Sequence, residues 1–307
     1  MPDPGGAAQA PTSAGLAQER IALKSAPPVA PLYLKSLFDR RPGHLAEGTG
    51  VGRIDGAIET ISAPPALLER YRRVCGFPES PYLPISFPHV LAAGLHLKML
   101  LSPVFPIRLP GLVHTWHEIE QEGPIPADAS LHIESWIDGV EFSGRGAEFC
   151  LHTVIDDGAV RWREKTGFLA RRRGPPPTAK TRTTPPPDPG PEPEFSPVAR
   201  FDLEPDLGRR YARASGDYNP IHLYRITARA FGFKAAIAHG MWSLARCAAT
   251  LLAAGTGSAR LHLNFRRPLL LPGAAVLEAT DGSGERRFRL RDPGPGSVFL
   301  DGWTGSP

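Results

Sequence analysis

The sequence lacks the features that mark disulfide-stabilised, secreted or membrane-spanning proteins. It contains only three cysteines, at spacings that fit neither a disulfide framework nor a metal site. No apolar run approaches the roughly 18 residues that a transmembrane helix needs. Residues 1–15 have neither the basic segment nor the apolar segment of a secretory signal. These absences predict a cytoplasmic protein without a membrane span.

The sequence also lacks the patterned basic face of a nucleic-acid-binding protein. Its net charge is +4, and part of the excess lies in Arg171–Arg173, Lys180 and Arg182, among prolines. A nucleic-acid-binding surface places its basic residues on a folded face with aromatic neighbours. We therefore predict no nucleic-acid partner, although a mildly basic chain is compatible with an anionic ligand.

Glycine and proline are abundant, with 32 and 35 residues, and they mark two segments without apolar periodicity. Residues 1–19 are rich in Ala, Gly and Pro and are predicted to be disordered. Residues 173–195 include the run GPPPTAKTRTTPPPDPGPEP, which fits neither a helix nor a central strand and predicts an extended linker. The remaining blocks, 20–172 and 196–307, each have the size of an ordinary domain.

Both blocks show the same order of elements: one long apolar helix followed by short strands between Gly and Pro clusters. The helices are predicted over His89–Leu101 and Ile237–Ala254. A helix that is apolar almost all round must be buried on most sides, and an antiparallel sheet wrapped around it meets that demand. We therefore predict an α+β fold with two such units. No sequence repeat is visible, so the duplication rests on element order alone. The strands are predicted over 111–119, 130–140, 144–155 and 160–169, and over 261–265, 275–279, 286–290 and 298–303.

The most informative segment of the chain is the stretch SGDYNPIH, which begins at Ser215. Its Ser-Gly-Asp and Asn219-Pro220 sequences favour turns, so it is predicted to be a rigid loop between helical pieces. It presents Asp217, Asn219 and His222 within six positions. An Asp and a His held near one water can remove its proton and return a proton to carbon, and the Asn can orient either group. Alone, Asp217 could cap a helix and His222 could be structural; the joint pattern favours chemistry.

A second signal is Ala238-His239-Gly240-Met241 at the beginning of the second apolar helix. The first N–H groups of a helix have no internal partners, and they carry partial positive charge. Glycine lets a ligand approach that backbone closely. The Gly240 N–H is therefore suited to bind a thioester carbonyl oxygen, which gains negative charge as an enolate develops.

The pattern S-G-D-x-N-P-x-H followed by I-x-H-G-M resembles the MaoC-like dehydratases, also called (R)-specific or type 2 enoyl-CoA hydratases. The resemblance is dense from Tyr211 to Met241 and continues weakly from Phe265 to Gly273 (FRRPLLLPG). It implies a hotdog fold, in which an antiparallel sheet wraps round a central helix. It also assigns the residues of the site. The expected catalytic pair is Asp217 and His222, the supporting amide is Asn219 and the oxyanion donor is Gly240. The expected substrate contacts are Ser215, His239, Met241 and Arg266, the last of which either meets a phosphate or is solvated.

The resemblance implies interconversion of trans-2-enoyl and (3R)-3-hydroxyacyl thioesters, carried by CoA or an acyl carrier protein, without a metal or redox cofactor. Two alternatives stay open at this point. A hotdog thioesterase would also use a carboxylate, and an accessory or lipid-binding subunit would keep the scaffold without turnover. Acyl chain length, carrier, direction and pathway are not fixed by the sequence, and a homodimer is as plausible as a single chain.

The first block lacks Asp-x-Asn-Pro-x-His, and its central helix follows Ser86-Phe87-Pro88-His89 in place of His-Gly-Met. It therefore resembles the degenerate first hotdog of double-hotdog members, where loss of the loop leaves space for a bulky acyl chain. We expect no metal site around His114 and His117, which have no recognisable partner. The histidines predicted to be structural are His89, His96, His114, His117, His132 and His152.

Overall fold

The computed structural model describes residues 17–172, 193–252, 257–282, 284–294 and 296–306. The predicted disordered segment 1–19 falls outside the described residues up to residue 16, and Glu19 already begins the first strand. The predicted linker 173–195 falls outside them except for residues 193–195. We call residues 17–172 the N-terminal half and residues 193–306 the C-terminal half.

Each half contains one long central helix and a set of strands. The N-terminal half contains β1 (Glu19–Leu23), α1 (Val29–Leu37), β2 (Ile54–Ile61), α2 (Pro65–Cys75), α3 (Phe87–Leu100), β3 (Leu112–Glu122), β4 (Leu131–Ser143), β5 (Gly146–Asp156) and β6 (Val160–Arg171). The C-terminal half contains β7 (Ser196–Leu203), α4 (Leu207–Ser215), α5 (Pro220–Leu223), α6 (Arg225–Ala230), β8 (Ala236–Ile237), α7 (Gly240–Leu251), β9 (Ser258–Phe265), β10 (Leu270–Leu271), β11 (Gly273–Ala279), β12 (Arg286–Arg291) and β13 (Val298–Gly305).

Eleven of the strands form one sheet in the order β1-β2-β4-β5-β6-β3-β9-β13-β12-β11-β7. The N-terminal order β2-β4-β5-β6-β3 and the C-terminal order β7-β11-β12-β13-β9 are the same arrangement in opposite directions. They meet where β3 pairs with β9 in antiparallel register. The predicted duplication and the α+β double-hotdog fold are therefore confirmed. β1 pairs with β2 in parallel, and the described residues of the C-terminal half contain no counterpart of it.

The two central helices lie against the inner faces of the sheet because their sequences leave them no polar side. Eleven of the fourteen residues of α3 are buried, including Leu91, Leu95 and Met99. In α7, seven of twelve residues are buried. Burying an aliphatic side chain of this size contributes about 1.5–3 kcal/mol, so each helix adds substantially to its core. Among the described residues, no helix is long and apolar enough to cross a membrane.

The boundaries of the second central helix differ from the prediction. α7 begins at Gly240, not at Ile237, and residue 254 lies outside the described residues. Ile237 belongs to β8, which pairs with β10, and the Ala238 N–H donates to the Leu269 carbonyl over 2.8 Å. These backbone bonds hold the segment extended until His239, whose φ and ψ of −64° and 137° mark the residue before the helix.

The structure also reveals a short sequence repeat that the sequence analysis missed. The pattern R-Y-x-R-x-x-G occurs at residues 70–76 and again 140 residues later, at 210–216. The first copy ends α2 and the second ends α4. Both end in a left-handed glycine, Gly76 with φ 77° and Gly216 with φ 78°. In each half, a helix that ends in a left-handed glycine therefore precedes the corresponding loop.

Candidate active site

The loop that carries Asp217 is held between two helix ends. α4 ends at Gly216, whose N–H donates to the Ala212 carbonyl over 2.8 Å. α5 begins only four residues later, at Pro220, a residue whose fixed φ suits the first position of a helix. The Asn219 side chain accepts a hydrogen bond from the Ile221 N–H at 3.4 Å and so caps α5. The supporting catalytic role of Asn219 stays a prediction. In the structure, Asn219 has a structural role, because it caps α5 and so fixes the end of the loop.

Backbone and hydroxyl groups orient Asp217. The Asn219 N–H donates to Asp217 Oδ1 over 3.0 Å. The Asp217 N–H donates to Ser215 Oγ over 3.2 Å, and that hydroxyl donates to the Tyr211 carbonyl over 2.9 Å. The carboxylate side chain is nevertheless 33% exposed, so it is fixed in direction while one side stays open to a ligand. Ser215, predicted to contact substrate, braces the loop.

His222 is oriented by a carbonyl of the strand before α7. The distance between His222 Nδ1 and the Ile237 carbonyl oxygen is 2.8 Å. A carbonyl can only accept, so Nδ1 carries the proton and the lone pair is assigned to Nε2. Burial lowers the pKa of His222, although nearby Asp217 and the Ile237 carbonyl oppose the shift. His222 is therefore a neutral imidazole whose Nε2 can accept a proton or a hydrogen bond.

His239 links the loop to the beginning of α7. Its ring stacks on His222 at a centroid distance of 3.8 Å, and its Nε2 donates to the Asp217 carbonyl oxygen over 3.0 Å. Burial and His222 lower the pKa of His239 to about 3. The ring is only 2% exposed. A substrate contact for this residue stays a prediction, and the contact present in the structure is with the backbone of Asp217.

Gly240 occupies the first position of α7, so its N–H has no carbonyl partner within the helix. A Cβ at this position would lie 2.9 Å from the Phe265 ring. The packing against Phe265 therefore favours glycine at this position, and its role as oxyanion donor stays a prediction. Met241, which follows, is buried in the core. The predicted donor thus lies at a helix N-terminus in the same layer as His239 and His222.

Tyr33 is a site residue that the sequence analysis missed. It lies on α1, in the N-terminal half, and its hydroxyl lies near the Asp217 carboxylate: burial and Asp217 raise the pKa of Tyr33, and the Tyr33 hydroxyl helps to lower the pKa of Asp217. The helix is seated over the loop, because a Cβ on Gly216 would lie 3.1 Å from Val29. A tyrosine in VAPLYLKSL carries no signal of this role in the sequence, since the contact joins segments that are remote along the chain.

The electrostatics of the site favour one carboxylate beside two neutral imidazoles. Burial alone would raise the pKa of Asp217. His239, His222, the Asn219 N–H and the Tyr33 hydroxyl outweigh burial and lower that pKa. At neutral pH the site therefore presents an ionised Asp217 next to the free Nε2 of His222. These two acceptors can bind both hydrogens of one water molecule.

Arg266, predicted as a phosphate-binding or solvated residue, is held elsewhere. Its Nη2 donates to Asp301 Oδ2 over 3.1 Å, and its Nε donates to the other carboxylate oxygen. It lines an open groove together with Arg267 and Arg289. A phosphate contact for Arg266 stays a prediction.

Two groups of described side chains bring three possible metal ligands within 4.8 Å of one another: Asp217 with His222 and His239, and Glu164 with His89 and His96. In the first group, one nitrogen of each histidine already contacts a backbone carbonyl. That arrangement suits proton transfer. The sequence shows no recognisable partner for His117, and the structure places its Nε2 3.1 Å from Glu164 Oε2 on β6.

Comparisons with known proteins include the part of the chain that carries these residues. The model of the MaoC like domain matches residues 184–285, which include the Asp217 loop and α7. The chain is 30% identical over 249 residues to 3-hydroxyacyl-thioester dehydratase X of Mycobacterium tuberculosis, covering 79% of this chain and 86% of that protein. It is 28% identical over 174 residues to enoyl-CoA hydratase ChsH3 of the same organism, covering 53% and 60%. The crystal structure of HtdX from M. tuberculosis matches with a TM-score of 0.71 at 27% identity, covering 82% of this chain and all of that one.

Proposed function

This chain belongs to the MaoC-like dehydratase family, and from that premise we propose that it is a hydro-lyase of lipid metabolism. The reaction is the interconversion of a 2-enoyl thioester and a 3-hydroxyacyl thioester. The observation that carries the proposal is the convergence of an ionised Asp217, the free Nε2 of His222 and the first N–H groups of α7. Relatives named as a 3-hydroxyacyl-thioester dehydratase and an enoyl-CoA hydratase support the same chemistry.

In the hydration direction, the thioester carbonyl oxygen binds the Gly240 N–H at the beginning of α7. One water lies over C3 and donates its hydrogens to the Asp217 carboxylate and to His222 Nε2. As the water oxygen bonds to C3, Asp217 accepts its proton and negative charge develops on the thioester oxygen, where the helix N-terminus stabilises it. The proton is then delivered to C2 from the same side. Dehydration follows the same path in reverse.

The finer assignments rest on the same geometry. Asp217 on the loop and His222 in α5, which follows directly, present one water to one face of the substrate, which supports addition of both hydrogen and hydroxyl from that face. The family resemblance supports a (3R)-3-hydroxyacyl product. The acyl carrier is CoA or an acyl carrier protein, and a cytoplasmic location fits such substrates.

The first test is to incubate the full-length chain with crotonyl-CoA and with a longer trans-2-enoyl-CoA. The absorbance of the enoyl thioester and the release of free thiol are followed in parallel. We expect the enoyl band to disappear without thiol release, because hydration removes the conjugated double bond and leaves the thioester intact. Thiol release at the same rate would instead assign the site to a thioesterase. If neither substrate reacts as the CoA ester or as the acyl-carrier-protein ester, the proposal is wrong.

A further inference from the structure

A histidine near the beginning of α3 is oriented by a buried carboxylate of the N-terminal half. His89 is the third residue of α3, and its Nδ1 lies 2.8 Å from Oε2 of Glu164 on β6. A carboxylate accepts hydrogen bonds, so Nδ1 carries a hydrogen and the ring is held in one orientation. Burial alone would lower the pKa of His89, but Glu164 outweighs burial and raises that pKa, and Asp217 adds to the rise. His89 therefore lies within electrostatic range of the proposed active site.

The other ring nitrogen of His89, Nε2, is available to a ligand. Among the described residues it has no hydrogen-bond partner, and it is not fully enclosed. The His89 side chain is 19% exposed, whereas that of Glu164 is 0% exposed. A mostly buried polar atom costs free energy unless water or a ligand forms a hydrogen bond with it. A hydroxyl group suits Nε2 in either state of the ring, because Nε2 donates when the ring is charged and accepts when it is neutral.

A line of ring contacts connects His89 to the predicted oxyanion donor. The centroid of the His89 ring lies 5.4 Å from that of His117, which lies 5.2 Å from that of His114. The His114 centroid lies 4.6 Å from that of Phe265, and a Cβ on Gly240 would lie 2.9 Å from the Phe265 ring. These contacts follow β3 and β9, so the pairing of the two strands brings His89 and Gly240 to the same part of the molecule.

A second line of ring contacts bounds the same region from the side of α2 and α4. Phe87, two residues before His89, lies 5.1 Å from Tyr71 between ring centroids, and Tyr71 lies 6.0 Å from Tyr211. Tyr211 lies 4.7 Å from His239, the residue before α7. The beginnings of α3 and α7 are therefore neighbours, and side-chain rings bound the region between them on two sides.

The direction of a bound thioester follows from the exposure of these groups. The proposed reaction places the thioester carbonyl at Gly240 and C3 beside Asp217, whose side chain is 33% exposed. The carrier stays in solvent, so the arm that joins it to the thioester leaves on the open side of Asp217. The acyl chain beyond C3 then extends inward, between the beginnings of α3 and α7. His89 Nε2 is a polar atom on that path.

Polar side chains in this region are not demanded by the fold, because the C-terminal half has apolar ones at the corresponding positions. The third residue of the central helix is His89 in α3 and Trp242 in α7. His117 on β3 pairs with Leu263, its counterpart on β9. Both Trp242 and Leu263 are buried. The polar groups of the N-terminal half thus point to a ligand and not to packing alone.

We propose that His89, oriented by Glu164, hydrogen-bonds through Nε2 to an oxygen on the acyl chain beyond C3. The enzyme therefore selects 2-enoyl thioesters whose acyl group carries a hydroxyl or a similar oxygen-bearing group at that point. An unsubstituted alkyl chain would displace water from Nε2 and leave the nitrogen without a partner, so such a chain is used less efficiently. This inference rests on the proposed hydratase reaction.

The test uses pairs of trans-2-enoyl-CoA substrates of increasing chain length, in which one member ends in a methyl group and the other in a hydroxyl group. The kcat/KM for hydration is measured with the full-length protein. At the length that reaches Nε2, we expect the hydroxylated member to have a kcat/KM higher by about tenfold or more, while shorter pairs differ little. In His89→Phe this preference should disappear, because a ring is kept and the hydrogen bond is lost.

The matched control is His132→Phe, which alters a more exposed histidine of the same half, on β4 and 3.6 Å from Glu134. It should keep the preference of the unaltered protein. Equal kcat/KM for both members of every pair in the unaltered protein would overturn the inference and leave the proposed reaction intact, whether or not the variants fold. A preference that persists in folded His89→Phe would overturn the inference as well. Absence of hydration with every substrate would overturn the proposed function and this inference together.

Discussion

After the shared R-Y-x-R-x-x-G segment, the two halves of the molecule diverge at once. In the C-terminal half, the left-handed Gly216 is followed by Asp217-Tyr218-Asn219. In the N-terminal half, Gly76 is followed by Phe77-Pro78-Glu79. Phe77 occupies the position of the carboxylate, and it stacks on Tyr71 at a centroid distance of 6.3 Å. The left-handed glycine is therefore present in both halves, while the carboxylate that follows it is present only in the C-terminal half.

The difference extends to where each half keeps its polar groups. The C-terminal half places Asp217 at the edge of the core, one-third exposed, next to the N-terminus of α7. The N-terminal half buries Glu164 completely, between α3 and the sheet. A partly open carboxylate can meet a water and a substrate, whereas a closed one can only bind groups of the protein or an ion. The same fold thus leaves a carboxylate accessible in one half and encloses one in the other.

The largest expected effect comes from removing the imidazole of the catalytic loop. His222→Ala should lower kcat for 2-enoyl-CoA hydration by about 10²–10⁴-fold, as general acid–base groups typically do, with the far-UV circular dichroism unchanged. The matched control is His262→Ala on β9, a partly exposed histidine 3.6 Å from Glu118, which should remain within a few-fold of the unaltered rate. Equal losses in both variants would contradict a special role for the loop.

The pH dependence of kcat/KM tests whether His222 and Asp217 of the C-terminal half are the titrating groups. Hydration needs neutral His222 and ionised Asp217, and the pKa of each is lowered from its ordinary value, 6.5 for the histidine. A lowered pKa keeps the basic form populated to lower pH. The midpoint of the acid limb of kcat/KM should therefore lie below pH 6.5, with activity lost as the pH falls through the lowered pKa of His222. A midpoint above 6.5 in a pH–rate profile would show that His222 is not the titrating base.

A smaller effect is expected where the N-terminal half reaches the site. Tyr33→Phe removes the hydroxyl that helps to lower the pKa of Asp217, so kcat should fall by about tenfold, the scale of one polar contact with a charged group, while KM changes less. Tyr82→Phe, in the same half, serves as the matched control because Tyr82 is not in the site. An unchanged kcat in Tyr33→Phe would show that α1 does not contribute to the site.

The smallest effect is expected from substituting the left-handed glycines that end α2 and α4. Gly76→Ala and Gly216→Ala both place a Cβ on a left-handed residue, which costs about 1–2 kcal/mol of unfolding free energy each. Equilibrium denaturation should therefore show a loss in both variants, and a larger one in Gly76→Ala, whose Cβ would also lie 1.4 Å from Arg246 Nη1. Only Gly216→Ala should also lose activity, because its Cβ would press on Val29 at 3.1 Å and displace α1. Loss of activity in Gly76→Ala but not in Gly216→Ala would indicate that the active site lies in the N-terminal half.

Much of the fold was predictable because its signals are local. Apolar helices such as α3, and strands bounded by Gly and Pro clusters, follow from periodicity, and the loop of Asp217 and His222 follows from turn chemistry. The beginning of α7 was missed because the β8–β10 pairing, a contact between distant segments, keeps Ile237 extended. The same reason hides β1, which pairs with β2 only through the tertiary fold.

The parts of the site that were not predictable also depend on long-range contacts. Tyr33 reaches Asp217 from a helix of the other half. Glu164 gathers histidines from α3 and β3, and a lone Glu in a strand gives no sign of that environment. The repeat R-Y-x-R-x-x-G was visible in principle, but it is short, and only the matching glycine conformations give it meaning.

The central claim is that Asp217, in the C-terminal half, carries the chemistry. The measurement that tests it most directly is the rate of enoyl-band loss for Asp217→Asn, beside Asp202→Asn as a control at an exposed carboxylate on β7. We predict that Asp217→Asn lowers kcat by about 10²–10⁴-fold with unfolding unchanged, and that Asp202→Asn does not lower kcat. A folded Asp217→Asn variant with near-normal turnover would contradict the account.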